Sequence, residues 1–134
     1  MTKIGLQERR VGNVTILNTN GQARVGLRFG SSTVPLPKAI QSLLEEGQNQ
    51  ILLDFARVNW VDAGDLGELV STYITVNQNG GQIKLVHLTE RVSELMASTK
   101  LLAVFDTYQT EAEALKSFEN GSVAAAPENT SVPA

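Results

Sequence analysis

The stretch QILLDFARVNWVDAGDLGELVSTYITVNQNGGQIKLVHL, residues 50–88, decides the fold. It opens on QILLDF at 50–55, a short unbroken apolar run of the kind that marks a strand covered on both faces. It closes on QIKLVHL at 82–88, a second strand. Between them Leu66, Leu69, Val70, Tyr73 and Val76 recur at helical spacing, predicting a helix over 66–77 that ends at Gly80-Gly81. Two strands joined through a helix of this length imply a right-handed crossover and parallel pairing.

The same alternation extends outward. NVTILN at 13–18 alternates about Val14 and Ile16, and GQARVGL follows an Asn20-Gly21 turn signal, predicting an antiparallel opening. Leu36, Ile40, Leu43 and Leu44, with Pro35 and Pro37 at the start and Gly47 just beyond Glu46, predict a first helix over 36–46. Thr89 caps a third helix with Val92, Leu95 and Met96 on its inner stripe. LLAVFDTY reads as a connection followed by a short strand. A last helix spans 110–118, with Thr110 and Glu113 at capping-box spacing and Ala114, Leu115 and Phe118 inward. Residues 119–134, ENGSVAAAPENTSVPA, lack periodicity and large apolar side chains, so a disordered tail is expected there. The fold expected is α/β: one small domain over residues 1–118, a mixed sheet with an antiparallel N-terminal part, and about four helices.

Composition removes several functions. At 134 residues and 42% hydrophobic, the chain supports one core. It has no cysteine, which excludes disulfides, thiolate metal sites and cysteine nucleophiles. No apolar run suits a signal peptide or a bilayer span, and a cytoplasmic location is expected without direct membrane insertion. Residues 1–30 carry Lys3, Arg9, Arg10, Arg24 and Arg28 against Glu8, whereas 101–134 carry Asp106, Glu111, Glu113, Glu119 and Glu128 against Lys116. With a net charge of -3 and a pI near 5.1, nucleic acid is not an expected partner.

The loop VNWVDAGDLGEL, between the central strand and the second helix, is where ligands or partners meet such a sheet. Asp65 is a preferred N-cap type with Glu68 three residues on, an acidic capping box. Gly64 would permit a tight turn there, and Gly67 a close approach of helix to sheet. A helix N-terminus also favours a phosphate or a carboxylate. Neither Ala63 nor Gly64 can carry a phosphate, whereas Asp65 supplies a charge. Trp60, the one tryptophan, reads equally as an interface anchor or as packing at the sheet end.

VNWVDAGDLGELVSTY, followed by NGGQIKLVHLTERVSELMASTKLLAVFDTY, resembles the STAS domain of bacterial anti-sigma-factor antagonists over most of residues 10–118. The resemblance implies a partner-switching module that binds a serine kinase of the anti-sigma type and is released when the second Ser of an Asp-Ser-Ser-Gly-Leu-Gly loop is phosphorylated. Asp62, Leu66 and Gly67 match that motif. Ala63 stands at its first Ser, Gly64 at the phospho-acceptor and Asp65 at the following Gly. Three readings follow from this departure. Asp65 imitates the phosphorylated state, although with less charge than a phosphoserine and one residue away. Otherwise the loop binds a partner but cannot be switched, or control has passed to Ser71 or Thr72, which read more simply as ordinary helical residues.

Other chemistries fit poorly. Asp62 and Asp65 without a third ligand make a poor cation site, so no metal or cofactor is expected. His87, the one histidine, lies in a strand pattern with no nucleophile to serve. A receiver-type phosphoryl acceptor at Asp54 lacks any earlier Asp and any Asp-Asp or Glu-Asp pair in the first half of the chain to hold magnesium, and no G-x-S-x-G elbow is present. Arg24, Arg28 and Arg57 read as solvated surface. The expectation is a non-enzymatic binding module whose surface runs from Trp60 to Tyr73 and includes Asp62, Ala63, Gly64, Asp65, Leu66, Gly67 and Glu68. Self-association remains open. The alternative is a STAS-like accessory subunit of a transporter or sensory assembly.

Overall fold

The computed structural model describes residues 8–22, 26–29, 35–58 and 61–124. In chain order the elements are β1 Glu8–Val11, β2 Val14–Gln22, β3 Gly26–Phe29, α1 Leu36–Glu45, β4 Gln50–Val58, α2 Ala63–Gln78, β5 Gln82–Val86, α3 Glu90–Ser98, β6 Asp106–Tyr108 and α4 Glu111–Ala124. A single 3-10 turn, Leu101–Ala103, leads from α3 into β6. The strand order is β1-β2-β4-β5-β6, with β3 also paired to β2. β1 and β3 run antiparallel to β2, and β2, β4, β5 and β6 are mutually parallel. This is the mixed α/β sheet with four helices that the sequence implied.

β4 sits at the centre because it is the strand whose residues can be buried on both sides. Ile51, Leu52, Leu53 and Phe55 are all fully buried. Its alternation sorts the core into two layers. Ile51, Leu53 and Phe55 join Leu17, Ile83 and Leu85 beneath α1, α2 and α3. Leu52 joins Val14, Ile16 and Val86 on the opposite face, under Ala114 and Phe118 of α4.

Helix ends follow local chemistry. Pro35, at φ -62 and ψ 146, enters α1, whose buried Leu36, Ala39, Ile40 and Leu43 form one stripe. α2 closes in a Schellman turn, with Gly80 N–H donating to the Asn77 carbonyl and Gly81 N–H to the Val76 carbonyl. Gly80 supplies the φ of 73° that this turn needs. A Cβ on Gly81 would lie 2.1 Å from the Asn49 carbonyl oxygen, so the pair is fixed by both turn geometry and strand approach.

Four boundaries differ from the sequence reading. Asn20-Gly21 is not a turn: β2 continues to Gln22, because both residues are paired with β3 on one side and β4 on the other. ERRV at 8–11 forms an edge strand closed by the Gly12-Asn13 turn. α2 begins at Ala63, three residues early, for the reason given below. The last helix runs past Phe118 to Ala124, into the stretch expected to be tail. Residues 125–134 and Trp60 lie outside the described residues.

Candidate functional site

The loop after β4 and the start of α2 sit at the carboxyl end of the parallel strands. Thr89 ties this end together: its hydroxyl donates to the Val58 carbonyl at 3.1 Å and accepts from Val92 N–H at the start of α3. α2 therefore enters over a braced edge.

Its first turn is built by a reciprocal pair of carboxylates. Asp62, with extended φ -123 and ψ -175, is the N-cap, and its Oδ1 accepts from the Asp65 N–H at 2.8 Å. Asp65 Oδ2 in turn accepts from the Asp62 N–H at 3.0 Å. This is a capping box in which Asp replaces the usual Glu at N3. The expected box of Asp65 with Glu68 is thus corrected by one helical turn. Aspartate is short, but N-cap and N3 lie close enough for two short side chains to reach each other's backbone.

The consequence for charge is direct. Asp65 is 7% exposed, and its carboxylate faces back into the turn. Burial raises its pKa above the ordinary carboxyl value, the accepted Asp62 N–H pulls the other way, and the Asp62 charge adds to the rise. What α2 shows to solvent is different: Asp62, Ala63, Gly64, Gly67, Glu68, Ser71, Ile74 and Thr75 are exposed, Ile74 at 48%. Gly64 is a first-turn helical residue, outside the positive-φ glycines, and a Cβ there would meet Asp62 Oδ1 at 3.3 Å. Gly67 faces open space, so it does not serve a close helix–sheet approach. Leu66 is buried in the core.

The hydroxyls of α2 are unequal. Thr72 is buried and donates to the Glu68 carbonyl at 2.8 Å, and Thr75 donates to Ser71 at 3.0 Å. Ser71 is exposed beside a groove of about 340 Å³ between α1 and α2, lined by Ile40, Leu44, Ser71 and Thr75 among others.

Other candidates resolve into local structure. Asp54 lies opposite a register shift between β2 and β4, where its Oδ1 accepts from the Ala56 N–H at 3.0 Å. The same oxygen is 3.1 Å from His87 Nδ1. His87 is not in a strand: β5 ends at Val86, and His87 takes a left-handed φ of 63°. Among the described residues no hydroxyl nucleophile is bonded to the pair. Arg57 is exposed. Among the described residues no group of three or more acids or histidines is placed to hold a metal, and no helix is long and apolar enough to cross a membrane.

Sequence reasoning missed Lys84, Arg9 and Glu111. Arg9 and Glu111 form a two-pronged ion pair at 2.5 and 3.2 Å that joins β1 to the start of α4. Strand alternation in QIKLV does place Lys84 on the Val86 face, but without α4 nothing says that face is covered.

A family model described as STAS domain matches residues 9–114. A Thermotoga neapolitana protein named for the anti-sigma factor antagonists is 36% identical over 73 residues, 54% of this chain and 65% of that protein, just under two thirds of its length. The anti-sigma-B factor antagonist of Staphylococcus epidermidis is 28% identical over 81 residues, 60% of this chain and 75% of the relative. Among solved structures, an anti-sigma factor antagonist from Mycobacterium paratuberculosis superposes with a TM-score of 0.66 at 19% identity, covering 84% of this chain and 91% of that one. At that identity the likeness speaks for the fold.

Proposed function

The chain belongs to the STAS domain family, and from that premise we propose that it is a constitutive binding module of the anti-sigma factor antagonist type. Its partner on this reading is a serine kinase of the anti-sigma class, met in the cytoplasm through the exposed first turns of α2. The module itself performs no catalysis.

The observation that carries the reading is the direction of Asp65. A phosphate mimic must present its charge to the partner, and this carboxylate is buried and engaged by the Asp62 N–H. Position 64 has no hydroxyl, and Thr72 is shielded. The surface left for a partner consists of small residues with Asp62 and Glu68 at its rim, suited to close approach and sensitive to the sign of an opposing charge. Such a surface binds without a phosphorylation step at position 64 to undo it.

The test is binding of the purified chain and of Gly64→Ser to an anti-sigma-type serine kinase from the same cell, with and without ATP. Both forms should bind; ATP should weaken only Gly64→Ser, by about tenfold or more, a change of about 1.4 kcal/mol. Phosphorylation of the wild-type chain, or binding gained only by Asp65→Gly, would sink the proposal. Indifference of both forms to the kinase would favour an accessory role in a transporter or sensory assembly.

A further inference from the structure

The face of the sheet under α4 is covered on different terms from the face under α1, α2 and α3. Among the described side chains its apolar contact is narrow: Val14, Ile16, Leu52 and Val86 meet Ala114 and Phe118, with Tyr108 and Leu115 partly buried against them. Within that contact lies an ammonium. Lys84 is 6% exposed, with Nζ 3.0 Å from the Ser117 hydroxyl, 3.3 Å from its carbonyl and 5.0 Å from the centre of the Phe118 ring. Its carboxylate neighbour, Asp106 at 3.7 Å, is largely in solvent. Burial accordingly lowers the Lys84 pKa, with Asp106 opposing the shift.

Two further costs sit on this side. Gln82 precedes Lys84 by one row of the same strand face, and its buried Oε1 has no hydrogen-bond partner among the described residues. An open surface groove of about 710 Å³ runs beside the end of α4, between Leu115 and Phe118 on one side and the Gly12-Asn13 turn and residues 47–50 on the other. A desolvated cation, an amide oxygen without a partner among the described residues, and a solvent groove along the end of the helix all favour letting water in. Opposing them are the Ser117 bonds, six buried apolar residues and the Arg9–Glu111 pair, whose side chains are 50% and 30% exposed.

We propose that α4 is a releasable cover, which swings off the sheet as a unit about Gln109-Thr110 while the other face and its three helices stay folded. Release bares an apolar strip, Val14 to Val86, with Lys84 in its midst. This inference rests on packing alone and stands apart from the binding role of α2.

Amide hydrogen exchange on the full chain tests it. Amides of Ala114–Phe118 should exchange at least about a hundredfold faster than those of Leu52–Phe55 and Ile83–Leu85. A substitution on the other face separates local from global opening. Leu69→Ala should speed exchange in β4 by more than about thirtyfold and leave α4 unchanged, because the open state keeps the damaged contact and pays the same penalty as the closed one. Ile83→Val serves the same purpose should Leu69→Ala fail to fold. Lys84→Met should slow α4 exchange by about tenfold. Exchange of α4 in step with β4 in the wild-type chain, or acceleration of both by Leu69→Ala, overturns the proposal, as does faster α4 exchange in Lys84→Met.

Discussion

The two faces of the sheet use the same strands and reach different kinds of stability. Among the described residues, eighteen buried apolar residues form one continuous cluster under α1, α2 and α3, with Asp65 as the buried charge at the start of α2. Under α4 the buried cluster has six, and Lys84, Arg9–Glu111 and Asp54–His87 are all arranged around it. The difference teaches how one strand can serve both. β4 sends Ile51, Leu53 and Phe55 to the broad face and Leu52 and Asp54 to the narrow one. The first face supplies the bulk of the apolar burial that offsets chain entropy, and the second is held by a few contacts whose strength responds to pH and salt.

The largest test of this contrast is a pair of truncations. Phe55→Ala, in the fully buried interior of the broad face, should cost about 3–5 kcal/mol in denaturant unfolding. Phe118→Ala should cost less, at most about 3 kcal/mol, because the adjoining open groove lets the site relax and hydrate. Equal losses would mean that α4 carries as much of the fold as the other three helices together.

How far the sequence could be read follows the same division. The broad face was legible because continuous apolar runs and 3.6-residue stripes are local signals: QILLDF, the Leu36–Leu43 stripe and Gly80-Gly81 all mark what they appear to mark. The narrow face was not, because its meaning depends on partners far along the chain. Lys84 carries no local sign of burial until Ser117 is brought over it, and Arg9 is only one of several N-terminal charges until Glu111 is opposite. Asn20-Gly21 misled for a related reason, since pairing on both edges of β2 outweighs a two-residue turn preference. In the loop before α2 the roles read from the sequence are exchanged: Asp62, chosen as a motif match, is the cap, and Asp65, chosen as the cap, is its N3 counterpart.

That exchange sets the next test, of intermediate size. Asp62→Ala should cost about 0.5–2 kcal/mol by removing the N-cap, with no loss comparable to Phe55→Ala. Asp65→Asn separates charge from geometry, since an amide oxygen can still accept the Asp62 N–H. Because the folded chain raises the Asp65 pKa above its ordinary 3.8, the folded state holds this proton more tightly. Its stabilisation is therefore complete below that ordinary value and is lost as pH rises through the higher folded one. Thermal unfolding across the acid range should show this slope in the wild-type chain and a flatter profile in Asp65→Asn. The same slope in both would place the titrating group elsewhere and restore Asp65 to the pool of charges a partner could meet.

The smallest expected effect bears on how α4 is held. Arg9→Ala removes one side of an exposed ion pair, which at such a site contributes about 0.2–1 kcal/mol and is screened by salt. At low ionic strength the variant should lose that amount, and near molar salt the two proteins should converge, because little of the pair's attraction survives there. Persistence of the difference at high salt would show that the Arg9 stem contributes packing, through its methylenes, rather than charge. The narrow face would then be less electrostatic than its ion pairs suggest, and the contrast between the two faces would rest on Lys84, the one cation it encloses among the described residues.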